Sequence, residues 1–297
     1  MDIDTGLSAW RQLTNQNRMI EAQAGVPESG SVKIAYFGGS AFRITTPSGL
    51  TVMIDPWRNL PDGKWDWYFH DFPITEVDIG ISTHAHFDHD ALHRLDASVL
   101  LDRLIGVYEF ADIRIEGVAD KHATDPTFAT YDFRQINSYF GGQKLDAPDN
   151  QRCWDNCLIT VETGGLRILH WGDNRHNPPE EIWHRLGRTD ILLMPVDDSQ
   201  HVMGNPHVAE VIERVNPRIM IPHHYFIWNV VQRQSTLLPV ADWLSQQRSV
   251  VQLESAEMTY APKSLPAETT VHCFGDHVGF DVEAWHRDHG LKVGGSP

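Results

Sequence analysis

Apolar positions change their period along the chain, and the change predicts two kinds of architecture. The first part carries short apolar runs broken by turn residues. Val32–Phe37 enters Gly38-Gly39, Phe42–Thr45 follows, and Pro47-Ser48-Gly49 turns the chain into Leu50–Ile54. Such spacing predicts an antiparallel meander. Residues Asp55–Thr75 hold Trp57, Trp65, Trp67, Tyr68, Phe69 and Phe72 without a sustained period, which predicts a long ordered loop. Val77–Ser82 reads as a buried strand, and alternation returns at Ile113, Ile115, Gly117 and Ala119, just before His122. Cys157–Glu162 and Leu166–His170, joined at Thr163-Gly164-Gly165, predict a hairpin.

Farther on, strands and helices alternate. Asn177-Pro178-Pro179-Glu180 is a helix-opening signal for a helix to about Leu186. Ile191–Val196 is a strand, Asn205-Pro206 opens a helix through Val208, Val211, Ile212 and Val215, and Arg218–Ile221 is a strand. Two sheets packed face to face with helices outside would hold both halves, an α/β arrangement with strand ends converging on one edge. Residues 1–30 are expected to form an N-terminal helical extension, and 31–297 a single domain on which 231–297 packs.

Charge narrows the partners. The 297 residues carry 24 basic against 40 acidic side chains, a net charge of −16. That balance disfavours phosphate backbones and anionic membrane surfaces, so neither nucleic acid nor membrane is expected. No apolar run approaches the roughly 20 residues of a membrane span, and the start lacks a secretory leader pattern. Cys153, Cys157 and Cys273 are too few for a disulfide framework. The expectation is a cytoplasmic protein acting on a small molecule, with a homo-oligomer allowed.

Seventeen histidines change the picture through their spacing. His84-x-His86-x-Asp88-His89 places four donors within six residues, directly after the Val77–Ser82 run. Alternate residues of an extended segment share a face, so His84 and His86 can grip one ion. Asp88 and His89, past the bend, can face a second. Nitrogen and carboxylate donors suit borderline and hard divalent metals.

That motif resembles the signature of the metallo-β-lactamase-fold hydrolase superfamily. Met53-Ile54-Asp55-Pro56-Trp57 resembles its early strand ending in an acid. Leu169-His170-Trp171-Gly172-Asp173 resembles the strand end supplying a bridging aspartate, and Ile221-Pro222-His223-His224-Tyr225 the late strand end supplying the last histidine. Details of the first and last lean towards the branch of ascorbate-6-phosphate lactonase and N-acylphosphatidylethanolamine phospholipase D. The resemblance spans roughly residues 32–230. It implies an αββα sandwich of two mixed β-sheets with helices on the outer faces.

It also implies a binuclear site. The first ion would take His84, His86 and His122, the second Asp88, His89 and His224, with Asp173 touching both. His122 follows His89 by only 33 residues. A trimmed helix after Leu95 would account for that gap, with His93 and His70 as competitors for the place. His223 competes with His224, because adjacent strand residues face opposite ways. Two divalent ions, zinc first and manganese or iron as alternatives, would supply a bridging hydroxide near neutral pH. That hydroxide would attack a lactone, amide or phosphoester, oriented by Asp88. A non-haem iron sulfur dioxygenase or a nuclease on the same fold is the alternative.

Substrate-facing candidates are fewer. His201 lies in a strand-to-helix loop that faces the metals in the resembled branch, where it could bind substrate or donate a proton. His176 follows Asp173 by three residues and is a further candidate. Trp57, Trp65 and Trp67 are expected to wall an apolar pocket, with Arg58, Lys64 and Arg175 the nearest basic residues. Asp197, Asp198, His170 and His207 read as structural. The histidine-rich tail around His272, His277, His286 and His289 reads as a solvated face.

Overall fold

The computed structural model describes residues 30–61, 63, 66–123, 155–198 and 202–290. The expected helical extension, Cys153, Lys64, Trp65 and His201 lie outside the described residues. The strands are β1 (Val32–Tyr36), β2 (Phe42–Thr45), β3 (Thr51–Ile54), β4 (Thr75–Ser82), β5 (Leu95–Asp102), β6 (Gly106–Phe110) and β7 (Ile113–Asp120). They continue with β8 (Asn156–Thr163), β9 (Leu166–His170), β10 (Ile191–Pro195), β11 (Ile219–His223), β12 (Val250–Gln252), β13 (Glu257–Tyr260) and β14 (Thr270–Cys273). Helices α1 (Glu180–Leu186) and α2 (Asn205–Val215) link β9 to β10 and β10 to β11; α3 (Ala241–Leu244) and α4 (Val282–Asp288) come later.

Two mixed sheets result, one ordered β13–β1–β2–β3–β4–β5 and the other β12–β14–β11–β10–β9–β8–β7–β6. The predicted meander is antiparallel from β1 to β3, and β4 then joins β3 in parallel. In the second sheet β6 to β9 are antiparallel, whereas β9, β10 and β11 are parallel. Parallel neighbours need crossovers, which α1 and α2 supply. α2 turns Val208 and Val211 inward, and Asn216, at φ 48°, stops it by a backbone bond to Ile212. One apolar core runs between the sheets. Phe42 of β2 meets His170 of β9 and His223 of β11 edge-on at 5.9 and 5.6 Å. The expected αββα sandwich is the fold, although its described helices are few. Among the described residues, no helix is long and apolar enough to cross a membrane.

Two expectations change. No helix follows Leu95; β5 runs parallel to β4, in register from Thr75↔Leu95 to Ser82↔Asp102. The short gap before His122 is therefore crossed by three strands, β5, β6 and β7. The tail is a solvated face only in part: Asp276, His277, Asp288 and His289 are exposed, but His272 is half-buried and His286 buried. β13 extends the first sheet beside β1, while β14 extends the second beside β11. α4 buries Trp285 and His286. The His286 Nε2–H donates to the Asn229 carbonyl at 2.8 Å, which leaves Nδ1 to accept from His70 at 3.1 Å. The His289 ring stacks on His70 at 4.2 Å.

Candidate metal centre

Strand ends from both sheets converge on one edge, and each delivers donors. β4 ends at Ser82 and releases the chain into Thr83–His89. β7 ends at Asp120, an isolated bridge pairs His122 with Asn174, and the His122 N–H donates to Asp155 at 2.7 Å. The Arg175 guanidinium clamps the buried Asp120 carboxylate at 2.6 Å, and Asn174 donates to the same group at 2.9 Å. Arg175 thus fastens β7 to the loop after β9 and is not a free cation for substrate. Arg58 is likewise paired, with Asp90 at 2.8 Å. β9 turns at Gly172, whose φ of +55° and close approach exclude a side chain: a Cβ there would lie 2.9 Å from the Thr83 hydroxyl. The next residue, Asp173, is fully buried.

The donors fall into two groups that share Asp173. His84, His86, His122 and Asp173 form one; Asp88, His89, His224 and Asp173 form the other, with donor atoms in each group within 4.8 Å of one another. Asp173 Oδ2 lies 3.4 Å from the Nε2 of both His89 and His122, 3.8 Å from that of His224 and 3.9 Å from that of His84. Asp88 Oδ2 lies 3.0 Å from His224 Nε2. Donors about 2.0–2.2 Å from a common ion stand roughly 3–4 Å from one another, so these spacings fit. His223 points elsewhere, its Nδ1 at 3.1 Å from the Ser40 hydroxyl and its ring on His170. His93 is exposed, and His70 belongs to the α4 cluster. The structure therefore brings His122 and His224, not their competitors, to the centre.

Hydrogen bonds behind the ligand face fix the tautomers. His89 Nδ1–H donates to Asp55 Oδ2 at 2.8 Å, and His122 Nδ1–H to the Ala123 carbonyl at 2.6 Å. Thr83 donates its hydroxyl to Asp55 Oδ2 at 2.7 Å, leaving its lone pair to accept from His84 Nδ1–H at 3.0 Å. His224 Nδ1 lies 3.3 Å from Asp197 Oδ2. Each of these rings thereby turns Nε2 inward, an arrangement that raises ligand basicity and holds ring orientation. Asp55 and His224 adopt φ of 53° and 59°, two of the strained backbone positions among the described residues.

Buried polar atoms supply the test of fit. His84 Nε2, His89 Nε2, Asp88 Oδ1 and both Asp173 oxygens are buried without a hydrogen-bond partner. Such atoms are costly unless something pairs them, and divalent cations satisfy nitrogen and carboxylate donors together. Burial opposes charge on Asp88 and Asp173, yet His89 and His224 hold both carboxyls well below the usual range. Burial likewise opposes the charged form of His224, but Asp173, Asp197 and Asp88 carry it up to about 10. The centre is a negatively charged, desolvated nest that draws positive charge.

Other expected residues divide. Trp67 is buried beside the centre, with its ring 5.1 Å from Phe87 and 6.2 Å from His224. Trp57 is not a pocket wall: it is 0% exposed, stacks on Tyr68 at 3.9 Å, and donates its indole N–H to the Phe37 carbonyl. It is core packing and offers a substrate no surface. His176 stacks on His207 at 3.8 Å with planes 5° apart, and Glu210 lies 3.9 Å away. The donor atoms of this half-buried to exposed trio lie within 4.8 Å of one another, apart from the two groups that share Asp173. Asp197 is structural as expected, though its role beside His224 was not legible; nor was that of Asp55 in orienting two rings. A groove of about 710 Å³ lies at the opposite strand ends, lined by Arg114, Arg167 and Arg188 among acidic partners.

A family model described as a beta-lactamase superfamily domain matches residues 33–224, nearly two thirds of the chain. The chain belongs to the beta-lactamase superfamily. The matched segment ends on His224, the last of the convergent donors. A UPF0173 metal-dependent hydrolase of Thermodesulfovibrio yellowstonii is 26% identical over 219 residues, covering 67% of this chain and 80% of that protein. A namesake from Pyrococcus furiosus is 27% identical, covering 66% and 86%. Among solved structures, a zinc-dependent hydrolase described as of the metallo-beta-lactamase superfamily, from Thermotoga maritima, superposes with a TM-score of 0.57 at 22% identity. It covers 82% of this chain and 97% of its own, a likeness of superfamily fold.

Proposed function

We propose that this chain is a metal-dependent hydrolase holding two divalent ions, zinc first, that cleaves a small lactone, amide or phosphoester. The observation carrying this reading is the Asp173 carboxylate, buried and shared between the two donor groups. His84, His86 and His122 would hold one ion, Asp88, His89 and His224 the other. Two such ions lower the pKa of water towards 7 and polarise the scissile group. The chain's own part is orientation: Asp55 and Asp197 would aim histidines, and Asp88 would orient the attacking water. Trp67 would wall the substrate side, and His176 and His201 are proposed substrate contacts.

The names of the relatives support hydrolysis, and the net charge of −16 supports a small-molecule substrate in the cytoplasm over nucleic acid or a membrane surface. The Asp55-Pro56-Trp57 and Ile221–Tyr225 motifs support the lactonase-like branch. Manganese or iron would suit the same donors. The test is a screen of zinc-, manganese- and iron-loaded protein over lactones, lactams, amides and phosphodiesters, with chelated protein as control and oxygen uptake followed in parallel. Turnover that requires metal and consumes no oxygen is expected. No hydrolysis in any metal form would defeat the reading.

A further inference from the structure

The aromatic loop between β3 and β4 contributes one side chain whose polar end has no use in packing. Tyr68 is 0% exposed, and its hydroxyl is buried without a hydrogen-bond partner. Its ring is immobilised: Trp57 stacks on one face, the Tyr68 N–H donates to Asn59 at 3.0 Å, and the Tyr68 carbonyl takes a side-chain N–H from Gln232 at 2.8 Å. Of its neighbours, Trp67 is buried against Phe87 and His224, whereas Phe69 is 40% exposed. The loop therefore spends considerable order on aiming one phenol.

The direction of that phenol is set by Gly39. A Cβ on Gly39 would lie 2.6 Å from the Tyr68 oxygen, so only glycine admits the hydroxyl, and φ there is +56°. The Gly39 carbonyl in turn accepts the backbone N–H of His224 at 2.8 Å. The hydroxyl is thus lodged against Gly39, one backbone hydrogen bond from His224. Asp88 Oδ1 and both Asp173 oxygens are likewise buried without a partner, and the charges of both carboxylates act on the phenol. Burial first, then the charges of Asp88, Tyr36 and Asp173, hold the phenol above its ordinary range. At neutral pH it is a neutral O–H, hence a donor and not a base.

We propose that the Tyr68 hydroxyl is a catalytic hydrogen-bond donor, aimed at the substrate oxygen that gains negative charge as the scissile bond is attacked. The proposal rests on the hydrolase reading for its reaction, but its geometry is independent of which bond is cleaved. A preorganised donor in a desolvated site acts where charge develops, and removing one such donor lowers kcat by about 10²–10³-fold. A phenol left unpaired in the resting protein also loses nothing in stability when its oxygen is deleted.

The experiment compares zinc-loaded parent and Tyr68→Phe. Inorganic phosphate, a tetrahedral anion, serves as probe in calorimetry, beside zinc stoichiometry, Tm and, on any compound the screen returns, kcat and KM. Tyr68→Phe should bind zinc as the parent does, keep or raise Tm, and bind phosphate about ten- to hundredfold more weakly. Its kcat should fall with KM little changed. Phosphate bound equally well by both proteins, a parent that takes up no phosphate, or loss of zinc from Tyr68→Phe would each overturn the proposal. A screen without hydrolysis defeats the hydrolase reading, whereas the phosphate comparison judges Tyr68.

Discussion

The two donor groups of the centre are chemically alike and physically different. In the group of His84, His86 and His122, His86 is exposed and His122 half-buried. In the group of Asp88, His89 and His224, every member is buried. Orientation follows the same division. His89 leans on the Asp55 carboxylate and His224 on Asp197, whereas His122 Nδ1 meets the Ala123 backbone carbonyl. Charged partners in a desolvated place hold a ring harder than a neutral one at a mouth. The open half is thus suited to exchange with solvent and substrate, and the sealed half to fixing geometry.

The largest effect should come from the sealed carboxylate. Asp88→Ala is expected to abolish turnover while circular dichroism stays native, because the strand before it is held by apolar burial. Retained kcat in a metal-replete variant would remove Asp88 from the reaction. Next comes Asp55→Asn, which keeps the shape behind His89 and Thr83 but loses the charge. Metal affinity should fall about 10–100-fold, and more for the tighter ion than for the weaker. Equal losses at both sites, measured by competition with a chelator, would erase the distinction between halves.

His86→Ala tests the other side. It should bring metal content from two ions per chain towards one, with Tm of the metal-free protein unchanged, since the ring is exposed. His89→Ala should instead lower that Tm, because it takes a partner from three buried carboxylates, Asp55, Asp88 and Asp173. The smallest effect lies away from the centre. Burial, with His289 and His286 beside it, pushes His70 down to about 4. A histidine depressed in the folded state contributes stability above its ordinary value near 6.5, and loses it as pH falls towards 4. His70→Gln should flatten the decline of Tm across that window; an unchanged slope would discount the cluster.

The sequence made the centre legible where chemistry and a strand end coincide. Val77–Ser82 is apolar enough to be recognised as buried, and the donors follow at once. His122, Asp173 and His224 came through resemblance, since nothing local says that strands so far apart end together. Asp55 was visible as an acid after a strand, but its grip on His89 and Thr83 depends on the parallel pairing of β3 with β4. Trp57 was misplaced because a loop has no period to tell inward from outward. β5 was missed for a related reason: seven of its eight residues are partly or wholly exposed, so Leu95–Asp102 lacks the alternation of a half-buried strand.

The pairing of β13 with β1 sets Lys33 opposite Thr259 and ties the first described strand to the last but one. On the ribosome these arrive far apart in time. Elongation at about 5–20 residues per second leaves β1 waiting roughly 10–50 seconds for its neighbour. Throughout that interval its outer edge is a bare template for another nascent chain. Lys33, which later pairs with Glu257 at 3.2 Å, is a charge of the kind that discourages such pairing. A side chain that looks like an ordinary surface ion pair in the finished protein is, during synthesis, a guard on an unfinished sheet.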